Sequence, residues 1–156
     1  MIDAICRGLL RCAFLAQLCV HAVLRPRVVG AHVVVRFEDR VLLVKNSYRR
    51  ARGFPAGRVD RGEGVRAAAA RELREEVGIE VDEGRLIPLA VVVTRHEFKT
   101  DEAHLFELRL DERPVVTIDR REVVWADFVP IEAIDFPLHA PARRWLEGER
   151  RGGRDG

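Results

Sequence analysis

The 156-residue sequence predicts an α+β fold, a mixed β-sheet covered on both faces by helices, with an extra helix at the N-terminus. Two observations carry this expectation: β-branched and apolar runs surround one strongly periodic helical segment, and a second helical pattern closes the chain. A third bounds it, because 47% hydrophobic and 33% charged residues describe a single folded domain of ordinary size. The 27 basic and 25 acidic side chains leave a formal net charge of +2, which excludes a general binder of nucleic-acid polymers, a class marked by a strongly basic domain or stripe.

Residues 1–24 form a segment of their own. Cys12 to Leu24 carries no Asp, Glu, Lys or Arg, yet this uncharged run of 13 residues is short of the roughly 20 that a membrane span needs. Leu9, Leu10, Ala13, Ala16, Val20, Val23 and Leu24 recur at helical spacing, so the segment reads as an apolar helix that packs on the domain or on a second subunit of a homodimer. A signal peptide, with Arg7 and Arg11 as its basic flank, and a membrane-surface helix are the alternatives, and membrane contact is not expected. Cys6, Cys12 and Cys19 all fall in this segment; an odd trio without ligand-spaced partners suggests buried, reduced thiols and a cytoplasmic setting.

Arg25-Pro26-Arg27 breaks the helix and opens a domain expected over residues 25–147. Ala31 to Phe37 and Val41 to Lys45, separated by Glu38-Asp39-Arg40, read as a β-hairpin. Asn46 to Gly57 is polar and rich in Arg, Gly and Pro, a loop. From Gly64 to Val77 the pattern is helical: Ala69, Ala70, Leu73 and Val77 line one narrow face, with Val65 a turn before them and Gly78 at the expected C-terminus. Leu86 to Thr94, Ala103 to Leu110 and Glu122 to Val129 read as strands, the first two joined by a polar connection from Arg95 to Asp101. A short helical piece at Ile131 to Ile134 and a helix from Ala140 to Glu147 follow, and residues 148–156 read as a flexible tail.

The central helix carries the chemistry. Glu72, Glu75 and Glu76 stand at i, i+3 and i+4, so their carboxylates share one side of the helix, where like charges destabilise it. A solvated acidic face partnered by Arg71 and Arg74 is one resolution; a hard divalent cation such as Mg²⁺, which prefers carboxylate oxygens and shares them with substrate phosphates, is the other. The spacing around them decides. Gly57, five residues, Glu63, seven residues, Arg71-Glu72-Leu73, one residue, Glu75-Glu76, one residue and Gly78-Ile79 fill every defined position of the Nudix box, and chance gives such a match on the order of once in a million.

The chain therefore resembles the Nudix hydrolase family, over roughly Arg25 to Glu147. The hairpin ending Arg40-Val41-Leu42-Leu43-Val44, the Gly53-Phe54-Pro55-Ala56-Gly57 approach and the late acidic residue Glu122 extend the likeness beyond the box. Ala56 departs from it, standing where many members carry a second glycine. The resemblance implies a Nudix-type α/β/α sandwich and a pyrophosphohydrolase using Mg²⁺ or Mn²⁺. It implies Glu72, Glu75 and Glu76 as metal ligands, with one of these or Glu122 as general base. It further implies Arg71 orienting the carboxylates through Glu63, Gly57 and Gly78 serving the backbone turns that flank the helix, and Leu73 and Ile79 anchored in the core.

Beside the box, Arg49, Arg50 and Arg52 are candidates for contact with substrate phosphates, with a solvated basic loop as the plain alternative. Tyr48, Phe98 and Trp125 are candidate base-stacking surfaces, though an aromatic beside a strand is more often core. His96 and His104 flank the loop between the strands, and His104 reads as structural. The expected substrate is a nucleoside diphosphate linked to another moiety, nucleotide sugars such as ADP-ribose ahead of oxidised or non-standard nucleoside triphosphates. A non-catalytic nucleotide-binding module is the rival of another class, and the intact set of box glutamates weighs against it.

Overall fold

The strand β1 (Arg27–Phe37) organises the sheet. It pairs in parallel with β5 (Lys99–Leu110) along its whole length, from Arg27 opposite Thr100 to Phe37 opposite Leu110. Its other edge is divided: the C-terminal end forms the expected hairpin with β2 (Arg40–Asn46), and Gly30 to His32 pair with a short strand β3 (Ala56–Arg58). With β4 (Ile87–His96) and β6 (Val123–Pro130) the order is β4-β5-β1-β2-β6, β3 lying off this path. One parallel pair among antiparallel ones makes the sheet mixed. This computed structural model describes residues 9, 10, 12–17, 19, 20, 27–96 and 99–152.

Both faces of the sheet are covered at its central strands, which explains the unbroken apolar runs of β1 and β2, while Ile87, Leu89, Val91 and Val93 of β4 are exposed. Val33 and Val35 of β1 point to one side, where Leu42, Phe128 and the helix α2 (Val65–Val77) close a core. Val34 points to the other, against Val41, Leu43, Phe54 and the helix α3 (Ala140–Gly152). In α2 the buried residues are Ala68, Ala69, Leu73, Glu76 and Val77, so Ala68 replaces the expected Ala70 on the fully covered face. Two alanines there let the helix approach the sheet closely.

Several boundaries differ from expectation: β1 begins at Arg27 instead of Ala31, because its pairing with β5 extends that far, and the end of the expected Asn46 to Gly57 loop is the strand β3. The polar Arg95 to Asp101 stretch is mostly strand, with Arg95 opposite Thr100 and His96 opposite Lys99, because the ladder set by apolar pairs such as Val92 and Ala103 continues into polar residues. Helix α3 runs past Glu147 to Gly152, so five residues of the expected tail are helical; Arg150 donates to the carbonyl of Ile134 at 2.8 Å and Glu149 pairs with Arg36 at 3.0 Å. The rest of that tail, residues 153–156, lies outside the described residues. The helical piece after β6 is a 3-10 turn, Ile131–Ala133.

Residues 9, 10, 12–17, 19 and 20 are helical, here α1. Phe14 of this helix meets the domain, its ring 5.2 Å from that of Tyr48, and Gln17 reaches the lining of a cleft on the domain. Leu9, Ala13, Ala16 and Val20 of the expected apolar face are exposed instead, as are Cys12 and Cys19, which are not the buried thiols expected. The physical reason is the surface beneath, which offers an aromatic ring and an arginine to an aromatic side chain. Val23, Leu24 and Cys6 lie outside the described residues. Among the described residues no helix is long and apolar enough to cross a membrane.

Candidate active site

The loop after β2 is laid onto the domain by main-chain bonds: Gly53 and Val44 exchange N–H and C=O at 2.8 and 3.0 Å, and Val33 donates to Pro55 O at 3.0 Å. Phe54 is buried by this path. The result is that Ala56 and Gly57 run directly against the acidic side of α2.

Gly57 is needed for space. A Cβ built on it would come within 2.5 Å of Glu72 Oε2 and closer still to Oε1 and Cδ, so the carboxylate occupies the room a side chain would take. Its φ is not positive, and it sits in β3, not at a turn; this corrects the expectation of a backbone role. Gly78 does serve the backbone, with φ 70 at the C-terminus of α2, its N–H donating to Arg74 O at 3.1 Å. Ala56 has no left-handed φ, and its N–H donates to Glu76 Oε2 at 2.9 Å.

Glu76 is only 8% exposed, and Asn46 Nδ2 donates to its Oε1 at 3.3 Å. Burial pushes its carboxyl up to about 8, with help from the negative charges of Glu72 and Glu122 and against the two hydrogen bonds. Burial also raises Glu72, although Arg71 Nη1 donates to its Oε1 at 2.6 Å. Arg71 is the hub of the acidic side: it holds Glu63 through Nε at 2.9 Å and Nη2 at 3.0 Å, and donates to Arg58 O at 2.9 Å. That bidentate pair, with an N–H from Asp60, holds the Glu63 carboxyl down at about 2. Glu75 is more open and meets Arg71 Nη1 at 3.4 Å.

Glu122, exposed immediately before β6, accepts a hydrogen bond from the Tyr48 hydroxyl at 2.8 Å. Burial, and then the charge of Glu122, push the Tyr48 phenol above its ordinary value. Glu72, Glu75 and Glu122 line one cleft of about 380 Å³ with Asn46, Tyr48 and Gly57. Glu76 lies buried behind that wall. Among the described residues, no three carboxyl, imidazole or thiol groups already stand in a metal-ligand arrangement.

The three candidate arginines part company. Arg49 lines the cleft, and Arg50 lines a cavity beside it. Arg52 turns away, its guanidinium carbon 3.9 Å from the ring centre of Phe136 and 4.4 Å from that of Trp125, which occupies the latter as a stacking surface. His104 is bound to Glu102 at 2.9 Å, outside the cleft. Phe98 lies outside the described residues. Sequence reasoning missed the Tyr48 to Glu122 bond, the part of Asn46, and the start of α3, where Ala140 and Pro141 line the cleft. None of these has a spacing signal, since each contact joins segments far apart in the chain.

The NUDIX domain matches residues 24–148. No curated protein matches the chain. Among solved structures, a MutT Nudix hydrolase from Burkholderia pseudomallei superposes with a TM-score of 0.69 at 24% identity, covering 78% of this chain and 96% of that one. The MutT protein of Methanosarcina mazei gives 0.67 at 22% identity, over 84% of this chain and 98% of that one. An Ap4A hydrolase from C. elegans gives 0.66 at 22% identity, over 83% and 99%. These likenesses bear on the fold, and with a family match spanning residues 24–148 and every position of the box filled, the chain belongs to the Nudix family.

Proposed function

We propose that this Nudix pyrophosphohydrolase cleaves a phosphoanhydride bond in a nucleoside diphosphate linked to a second moiety, with Mg²⁺ or Mn²⁺ held by Glu72, Glu75 and Glu76. The observation that carries this reading is the gathering of Glu72, Glu75 and Glu122 on one cleft, with Glu76 behind it and Gly57 leaving room for the Glu72 carboxylate. The donor set fits the metal, because carboxylate oxygens are the hard ligands such ions prefer. A bound divalent ion supplies neutralisation of phosphate charge and acidification of water.

The chain's own residues do the rest. Glu122, at the cleft and fixed by Tyr48, is the group we assign to take the proton of the attacking water. The water oxygen bonds to phosphorus as the bridging P–O bond breaks, and the leaving phosphate departs with the electron pair. Arg71 fixes Glu63 and steadies Glu72 and Glu75 from the side. Nucleotide sugars and nucleoside triphosphates both meet this description, and release of a phosphorylated sugar or of pyrophosphate separates them. The test is a hydrolysis screen over nucleoside triphosphates, nucleotide sugars, dinucleoside polyphosphates and dinucleotide cofactors with each metal. Turnover that survives Glu76→Gln and Glu75→Gln undiminished would sink the assignment.

A further inference from the structure

A second cavity, of about 310 Å³, opens beside the cleft and shares Tyr48, Arg49, His139 and Ala140 with it. Its charge is the reverse of the cleft's. Arg49, Arg50 and Arg143 line it, and among the described residues no Asp or Glu does. The arginines come from two elements, the loop after β2 and the first turn of α3. Arg50 and Arg143 are exposed, and among the described residues neither is in an ion pair. Like-charged guanidinium groups around one void repel each other until an anion joins them.

Arg49 is held in place from the side of α1. Its guanidinium carbon lies 5.4 Å from the Phe14 ring centre and 5.7 Å from that of Tyr48. Phe14 precedes the residues matched by the family, so this wall of the cavity lies outside the matched domain. The N-terminus of α3, at Ala140, lies at the junction of the two cavities and adds a favourable dipole for an anion. Tyr48 spans the junction, with its hydroxyl on Glu122 and its ring beside Arg49.

We propose that this cavity seats an anionic group the substrate carries beyond the hydrolysed diphosphate, so that the substrate is a nucleoside polyphosphate with three or more phosphates in its chain. The inference rests on the hydrolase reading above and moves it away from nucleotide sugars. ADP-ribose ends in a neutral sugar past its diphosphate and brings no charge to Arg50 and Arg143. Phe14 is a positioning residue for this specificity, acting through Arg49.

The experiment compares diadenosine tetraphosphate with ADP-ribose as substrates of the full chain with Mg²⁺, for the unaltered protein and the R50E/R143E variant. We expect kcat/KM to favour the tetraphosphate by about tenfold or more, and the variant to erase that preference through KM while ADP-ribose changes by less than about twofold. Phe14→Ala gives a smaller loss in the same direction. Melting temperatures check that these substitutions leave the fold intact. A preference for ADP-ribose, a preference kept by R50E/R143E, or an equal loss on both substrates overturns the proposal. If both substrates are inert, the hydrolase reading fails by itself, and calorimetric titration of inorganic tripolyphosphate decides the cavity. Binding lost in R50E/R143E then upholds the anion seat, and absent or unchanged binding removes it.

Discussion

The carboxylate of Glu72 occupies the space into which a Cβ on Gly57 would project, so that a methyl group on the glycine would overlap it. The contact joins the first residue of the box to its metal-ligand candidate across the gap between β3 and α2. Substituting Gly57→Ala should therefore displace Glu72 and lower kcat/KM by about 100-fold or more, the cost of misplacing one reacting group by about an ångström. The helix and sheet do not depend on that space, so the circular dichroism spectrum should be kept. Full activity in Gly57→Ala would show that Glu72 does not work from this position.

Glu76 makes the metal-free protein sensitive to base. Its carboxyl, raised from 4.5 to about 8 by burial, contributes stability in the neutral form. That contribution is complete below 4.5 and is lost as pH rises through about 8. Thermal melting without metal should show a fall in Tm from acid to mildly alkaline pH that Glu76→Gln lacks, since Gln can still accept from Ala56 N–H and remains uncharged. An identical pH profile in both proteins contradicts the assignment.

The same proton must leave before Glu76 can serve as a ligand. Affinity for Mg²⁺ or Mn²⁺ should rise between about pH 6 and pH 8 and then level off, with proton release on binding. Calorimetry in two buffers of different ionisation heat measures the release. Glu76→Gln should bind more weakly and release fewer protons, and a pH-independent affinity removes Glu76 from the ligand set.

Arg71 and Glu63 stabilise the loop before α2 over a wide range. Glu63, held at about 2 instead of 4.5, contributes stability present above 4.5 and lost as pH falls through about 2. Arg71→Lys keeps the charge but cannot reproduce the paired bonds from Nε and Nη2. It should lower Tm at pH 7 by a few degrees and lower kcat more than it raises KM, with the Tm difference shrinking toward pH 2.

Arg52 is expected to behave unlike its neighbours. Packed between Trp125 and Phe136, it should cost about 2 kcal/mol of stability when replaced by Ala, from two lost cation–π contacts. Urea unfolding measures this. KM for any substrate should stay within about twofold, and a large KM effect would return Arg52 to the substrate side.

The box was legible because its chemistry is local: Glu72, Glu75 and Glu76 must share one helix side, and fixed spacing reports that directly. The hairpin and α2 were legible from period and punctuation, down to the glycine at the C-terminus. Contacts between distant segments were not. Nothing about Tyr48 or Asn46 in the sequence points to Glu122, 74 residues from Tyr48, or to Glu76, 30 residues from Asn46. The strand ends at Arg95 to Asp101 were hidden because pairing across β4 and β5 outweighs the polar character of those residues. The last turn of α3 was hidden because Arg150 and Glu149 secure it through partners that a Gly/Arg-rich tail does not reveal.

Position 56 shows what a main-chain donor means for tolerance to change. The hydrogen bond that restrains Glu76 comes from an amide that every residue except proline carries, so this bond does not depend on the side chain there, and only the cleft that Ala56 lines limits its size. Alanine can stand where many family members have glycine, and serine or cysteine should serve as well. A survey of which side chains recur at this position would register variation and miss the restraint, while proline would sever it at one stroke.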